Sequence, residues 1–400
     1  MNVPFLDLKK QYDELKLEIE PAILEVMKSC SYIGGSYVNT FESKIARYLD
    51  IKYAIGCSSG TAALILALRA CNIKPGDEVI TTPFTFFATA EAIASVGAIP
   101  VFVDVKADDY TIDPEKIEEE ITEKTKAILP VHIFGAMCDM DKIMAIARKH
   151  GLRVIEDDAQ AIGSEYHGRK AGTIGDIGCF SFYPTKNLGG CGDGGMVTTN
   201  DDKLAVILRS LREHGAGKNG AKACEFMTGE AVKLSTDEQA TDLYDPYKYY
   251  NYLIAYNSRL DALQAAVLSI KLDHLDEFNE KRNSIAQRYM EGLSAKVRCP
   301  EYQKDNKTCW HQFVICTNRK QEMCQALSEK EIGVGTFYPV PLHRQAAFDS
   351  GNARLATAGA PVAEKLSKET VCLPIFPEMT DEQVQYVIDA VNTFVEEEKA

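Results

Sequence analysis

The chain has 400 residues, 46% of them hydrophobic and 26% charged, with a formal net charge of −14 at pH 7. That length exceeds the roughly 250–300 residues that one core usually serves, and it predicts a large domain with a smaller companion. The acidic balance argues against nucleic acid or an anionic membrane as a partner, because either requires a basic face, and no apolar run approaches the roughly 18 residues of a membrane span.

The opening "MNVPFLDLKKQYDEL" lacks a basic region followed by an apolar stretch and a small-residue cleavage site, so a cytoplasmic location is expected. Twelve cysteines include no CxxC and no Cys/His zinc spacing; they read as reduced thiols, with no metal expected.

From residue 53 short β-branched runs alternate with helical patterns: "YAIGCSSG" then "TAALILALRAC", "DEVITT" then "PFTFFATAEAIASVG", "IPVFVDV" then "PEKIEEEI". The alternation continues through "KAILPVHIF", "DMDKIMAIARKHG", "LRVIEDD", "DIGCFSFY", "GGMVTT" and "DDKLAVILRSLREHG". This order predicts an α/β fold with a mostly parallel central sheet, helices on both faces, and ligands at the carboxyl ends of the strands. After about residue 215 the pattern gives way to "GAGKNGAK", a polar tyrosine-rich stretch, and a long helix beginning near Arg259. Residues 1–255 are therefore expected to form the large domain. Residues 256–400 are expected to form a connecting helix and a small C-terminal α+β domain.

Three strand ends carry chemistry. In "CSSGTAALILAL" the N–H groups of Gly60 and Thr61 open a helix, a ready anion site, although Ser59 or Thr61 could equally cap that helix. In "LRVIEDDAQAIG" a strand ends in Glu156, Asp157 and Asp158, where a buried carboxylate calls for a cationic partner such as a pyridinium, a metal or an arginine. Adjacent acids would also suit magnesium, but no third ligand is evident. In "FSFYPTKNLGGCGDGG" Lys186 precedes the glycines, the reverse of a phosphate-loop order, and its aromatic setting suits a nucleophile that forms a Schiff base. Taken together, an aldehyde-binding lysine, amide and hydroxyl donors for a phosphate, and an anion for a ring nitrogen match the needs of pyridoxal 5'-phosphate (PLP).

With "FLDL", "YIGGSYVNTFE", "SSGTAAL", "GDEVITTPFTFFATAEAI", "PVFVDV", "VHIFG", "IEDDAQAIG", "FSFYPTKNLGGCGDGG", "YNSRLDALQAA" and "CLPIFP" in order, the chain resembles the DegT/DnrJ/EryC1/StrS family of PLP-dependent nucleotide-sugar aminotransferases. The resemblance implies the PLP-dependent transferase fold type I, like that of aspartate aminotransferase. It implies that Lys186 bonds the cofactor and shuttles the proton, and that Asp157 pairs with the ring nitrogen. Gln160 would lie near the ring, Phe86 would stack on it, and Gly60, Thr61 and Ser181 would hold the phosphate. Asn257 would reach the phosphate of the neighbouring subunit in a homodimer, or else cap the following helix. L-glutamate would be the amino donor.

The segment "VGTFYPVPLHRQAAF" is similar to members acting on 3-keto nucleotide sugars, such as UDP-2-acetamido-3-keto-glucuronate or dTDP-3-keto-6-deoxyhexoses. It implies contacts from Tyr338, His343 and Arg344; the 4-keto sugars and a non-catalytic regulatory role are the alternatives. Asp158 departs from the small apolar residue of most members. The stretch from about Cys224 to Tyr249 is longer than usual, and Lys218 and Lys222 before it are expected to attract the substrate diphosphate.

Overall fold

The computed structural model describes residues 1–230 and 248–397. Twelve strands occur among them: β1 (Tyr53–Cys57), β2 (Glu78–Thr81), β3 (Ile99–Phe102), β4 (Thr125–Ile128), β5 (Arg153–Asp157), β6 (Glu165–Tyr166), β7 (Arg169–Lys170), β8 (Ile177–Ser181), β9 (Gly195–Thr199), β10 (Phe313–Cys316), β11 (Arg354–Leu355) and β12 (Thr370–Leu373). Eight form the central sheet in the order β1-β9-β8-β5-β4-β2-β3-β11. All neighbours pair parallel except β9, which runs antiparallel to both β1 and β8. The mostly parallel sheet read from the alternating pattern is present.

The pleat divides each strand between two cores. Ile55, Val79, Ala127, Ile155, Cys179 and Val197 point to one face, where Leu64, Ala67 and Leu68 of the helix Gly60–Ala70 join them. Their neighbours point the other way: Ile80, Ile128 and Val154 meet Met140 and Ile143, while Ala54, Phe180 and Met196 meet Phe41, Ile45 and Leu268. Both faces are covered, as near-continuous apolar strands require.

A second core lies around the antiparallel pair β10 and β12, where Phe313, Ile315, Val371 and Leu373 pack with Tyr289, Met323, Leu327, Val387 and Val391. The long helix expected from Arg259 is two helices, Ala262–Asp273 and Leu275–Gly292, separated at His274. "PEKIEEEI" is not a helix but two 3₁₀ turns, Pro114–Lys116 and Glu118–Glu120. There the Glu120 carboxylate turns inward to the Thr357 amide (2.7 Å) and to Arg354, which ties the segment down before an α-helix can extend. "GAGKNGAK" enters a helix, Gly217–Thr228. Most of the Cys224–Tyr249 insertion lies outside the described residues.

Arg282 connects the second core to the loops beside the sheet. It is 3% exposed, and its Nη1 donates to the carbonyls of Ile375 (2.6 Å), Trp310 (3.3 Å) and, at the limit of contact, His311 (3.5 Å). Burial pushes this guanidinium down to about 10, with Cys309 and Glu378 opposing the shift. Arg282→Ala leaves those carbonyls without their donor and opens a cavity; a loss of about 3 kcal/mol is expected, read as an earlier denaturant midpoint.

Candidate active site

A cavity of about 720 Å³ opens at the carboxyl edge of the sheet. It gathers Gly60 and Thr61 after β1, Thr85, Phe86 and Thr89 after β2, Asp157 at the end of β5, Ser181 at the end of β8, and Lys186 in the loop beyond. Gln160, His311, Gln312 and Tyr338 complete one wall.

At the phosphate end the sequence left open whether the residues after β1 cap a helix or bind a ligand. The geometry permits both, because different atoms are involved. Ser59 Oγ accepts from Ala62 N (3.1 Å) and caps the helix, while the amides of Gly60 and Thr61 have no protein acceptor among the described residues. Those free donors at a helix N-terminus favour an anion. A Cβ on Gly60 would sit 2.7 Å from Ser181 Cβ, so only glycine lets the two strand ends close on one cradle.

Asp157 is buried. Its Oδ2 accepts from Thr89 Oγ1 (2.8 Å) and its Oδ1 from Ala159 N (3.2 Å). Burial raises its pKa, and Thr89, Ala159, Lys186 and His132 oppose the rise. A carboxylate so placed is stabilised by a cationic ring N–H. Thr89 was not recognised in the sequence; it sits in the first turn of the helix Ala88–Ser95, where a hydroxyl normally reads as a cap.

Lys186 is held by its own backbone, which donates to Tyr183 O (2.9 Å). Burial lowers its ammonium to about 8, against the opposing charges of Asp157 and Cys309. An amine that loses its proton this readily is a nucleophile near neutral pH. The glycines beyond it have a packing role: a Cβ on Gly189 would lie 2.3 Å from Pro184 O, so the chain turns back tightly beneath Lys186. Of the two residues in that turn with no assigned role, Asp193 lines the cavity and Cys191 is exposed.

Gln160 is fixed by accepting from Phe134 N (2.6 Å) and donating to Tyr338 Oη (2.9 Å). Phe86 is 58% exposed and lines the cavity, 6.3 Å from the Tyr338 ring, so it is no core aromatic; Phe87 packs against Phe348.

Five sequence candidates, Asn257, His343, Arg344, Lys218 and the exposed Lys222, lie outside this cavity. Asn257 is exposed and does not cap the next helix, a place taken by Asp261, whose side chain accepts from Gln264 N. His343 and Arg344 both donate to Glu364 Oε1, at 3.0 Å and 2.7 Å respectively, across a smaller recess that shares Pro339 with the cavity. Lys218 is exposed on its helix.

The magnesium reading found no third ligand, yet His132 lies beside the two acids, with Nε2 3.1 Å from Glu156 Oε2 and 3.6 Å from Asp158 Oδ1. Both Glu156 oxygens are already engaged: Ile174 N (2.8 Å) and Gly175 N (2.7 Å) on Oε1, Gly172 N (3.3 Å) and His132 on Oε2. The cluster is a hydrogen-bonded brace behind the site. Burial, then Glu156 and Asp157, push the Asp158 acid well up, towards its neutral form.

A sheet-edge phosphate cradle, a buried acid and a low-pKa lysine facing one cavity define a PLP-dependent enzyme of fold type I. The chain belongs to the DegT/DnrJ/EryC1/StrS aminotransferase family, which it matches over residues 13–392. It is 44% identical to the "Pleiotropic regulatory protein" of Geobacillus stearothermophilus, over 98% of this chain and 99% of that one. It is 41% identical to the UDP-N-acetyl-3-dehydro-alpha-D-glucosamine 3-aminotransferase of Acidithiobacillus ferrooxidans, over 98% and 97%. A solved DegT/DnrJ/EryC1/StrS aminotransferase from Brucella abortus superposes with a TM-score of 0.89 at 36% identity, covering 98% of this chain and 99% of that one. The cofactor is PLP, and the free amides at Gly60 and Thr61 and the cation-seeking Asp157 fit its two ends.

Two outcomes follow from these shifts. In cofactor-free protein, acylation of Lys186 by an amine reagent should rise with pH through about 8 and level off well below the ordinary lysine range, because burial destabilises the ammonium. This is measurable by peptide mass spectrometry. Thr89→Val removes a donor that holds Asp157 ionised, and should weaken PLP affinity by about tenfold in an equilibrium titration, with the fold unchanged by circular dichroism.

Proposed function

We propose that this chain works as a homodimer that transfers an amino group from L-glutamate to the 3-keto group of a nucleotide-linked sugar. The observation that carries the reading is the pairing of a low-pKa Lys186 with buried Asp157 across one cavity whose far end offers free helix amides. The 3-keto assignment draws on the 3-dehydro sugar named for the Acidithiobacillus relative and on the segment from Val334 to Phe348.

When bound, PLP supplies an electrophilic aldehyde and an electron sink. In this proposal Lys186 holds the cofactor and, once released, carries the proton between the substrate carbon and its own Nζ. Asp157 keeps the ring nitrogen protonated, with Thr89 fixing the carboxylate. Gly60, Thr61 and Ser181 hold the phosphate, and Phe86 covers the ring from the cavity mouth. Asn257, exposed and away from its own chain's cavity, would serve the neighbouring subunit. His343 and Arg344 would act from the recess past Pro339, and Lys218 from outside it.

No described helix is long and apolar enough to cross a membrane, in keeping with a nucleotide-sugar substrate met in the cytoplasm. The division at residue 255 would separate the cofactor-holding part from a part that closes on the sugar.

The test is a half-reaction screen. Protein loaded with pyridoxamine phosphate is mixed with UDP- and dTDP-linked 3-keto and 4-keto sugars, and cofactor absorbance is followed. The 3-keto sugars should restore the PLP spectrum fastest; a preference for 4-keto sugars would contradict the assignment. Lys186→Ala should slow the same step by about 10³-fold.

A further inference from the structure

The turn that carries Lys186 is closed by its own backbone, with Lys186 N donating to Tyr183 O (2.9 Å) and Gly190 N to Phe182 O (2.8 Å). Leu188, fully buried, packs in the core that holds Phe41, Ile45 and Leu268. Asn187 adds a restraint of a different kind. Lys186 lines the cavity whereas Asn187 does not, and the Asn187 side chain is buried. Among the described residues it is the polar side chain of residues 182–190 that hydrogen-bonds outside the turn.

Backbone carbonyls, which can only accept, fix the direction of every bond in this network. Asn279 Nδ2 meets Ile162 O (3.1 Å), so Asn279 Oδ1 is the atom that faces Asn187. Asn187 Nδ2 donates to that oxygen (2.8 Å) and to Cys309 O (2.9 Å). Both amide hydrogens are then used, and Asn187 Oδ1 accepts from His311 Nδ1 (3.0 Å).

These partners belong to other parts of the chain. Asn279 lies on the helix Leu275–Gly292, which contributes Ile285 and Tyr289 to the second core, and through Ile162 it reaches the loop that follows Asp157. Cys309 and His311 precede β10; Cys309 N donates to Ser164 Oγ (3.0 Å), and the carbonyls of Trp310 and His311 accept from Arg282. One carboxamide next to Lys186 thus ties the lysine turn both to the second core and to the loop after β5.

Breaking this anchor would strand the Asn279 oxygen, the Cys309 carbonyl and the His311 N–H without partners. The anchor is also directional, whereas the apolar packing of Leu188 is not. A lysine that first holds a cofactor and then carries a proton beside it needs a fixed stem, since a displacement of about 1 Å can cost about 10²-fold in rate.

We infer that Asn187 is the positioning residue of Lys186: its three hydrogen bonds fix the peptide beyond the lysine, so that Nζ stays in place for proton transfer once it is released from the cofactor. This rests on the proton-carrying role proposed above for Lys186.

Two variants test it. Asn187→Ala removes all three bonds, and Asn279→Ala removes one of them at a residue that does not line the cavity. In cofactor-free protein the pH midpoint for acylation of Lys186, about 8 in the wild type, should rise by about one pH unit in Asn187→Ala and by less in Asn279→Ala, because the unanchored stem reaches water. When PLP-loaded protein is mixed with L-glutamate, the limiting rate of conversion to the pyridoxamine form should fall by about 10²-fold in Asn187→Ala and about threefold in Asn279→Ala. Half-saturation by glutamate should change by less than about threefold. A residue that only supports the fold would lower the denaturant midpoint and move neither readout.

A wild-type acylation midpoint or a wild-type limiting rate in Asn187→Ala would overturn the inference. If Asn187→Ala does not fold, an unchanged midpoint or rate in Asn279→Ala overturns it instead. If glutamate does not convert the wild-type protein, the donor in the functional reading is wrong, and the acylation midpoints alone decide the role of Asn187.

Discussion

A carboxylate whose charged form is disfavoured by burial lies at the centre of this structure. Asp157 is buried at the end of β5, raised by desolvation and supported by Thr89 and one backbone amide. The same burial that raises an acid lowers a base, and Lys186 lines the same cavity with its ammonium brought down to about 8. A cofactor with a protonatable ring nitrogen at one end and an aldehyde at the other relieves both groups. The carboxyl edge of the sheet holds both groups facing one cavity.

The three consecutive acids show how a pleat assigns chemistry. Alternation along β5 sends Asp157 to the face shared with Ile155 and the cavity, while Glu156 and Asp158 lie with His132 behind it. Glu156 accepts three backbone amides and His132, a brace that fixes the loop following β7. Asp158, pushed towards its neutral form, adds a buried carboxyl without a second full charge beside Asp157. A one-residue change of register would place the wrong acid in the site.

The parts of the site that could be read from sequence are those at strand ends within a recognisable local pattern. Lys186, Asp157, Ser181 and the Gly60–Thr61 helix start belong to this group, and the structure brings all of them to one cavity. Residues that depend on distant partners were not legible. Thr89 acts through a residue 68 positions away, and Asn187 orients a histidine 124 positions away. The expected substrate contacts His343 and Arg344 rest on the resemblance of their segment to members acting on 3-keto nucleotide sugars, and the partner that holds both, Glu364, lies too far along the chain to be read beside them. Short acidic segments misled for a related reason: "PEKIEEEI" has helical spacing, yet Glu120 is drawn inward by Arg354, a partner contributed from the edge strand β11.

The central claim is that Lys186, and no other lysine, holds the cofactor. Borohydride reduction of the PLP-loaded protein followed by proteolysis and peptide mass spectrometry tests it without knowledge of the sugar. The account predicts a single phosphopyridoxyl group, on the peptide containing Lys186. Labelling of a different lysine, or a stoichiometric PLP complex that borohydride leaves unlinked, would contradict it.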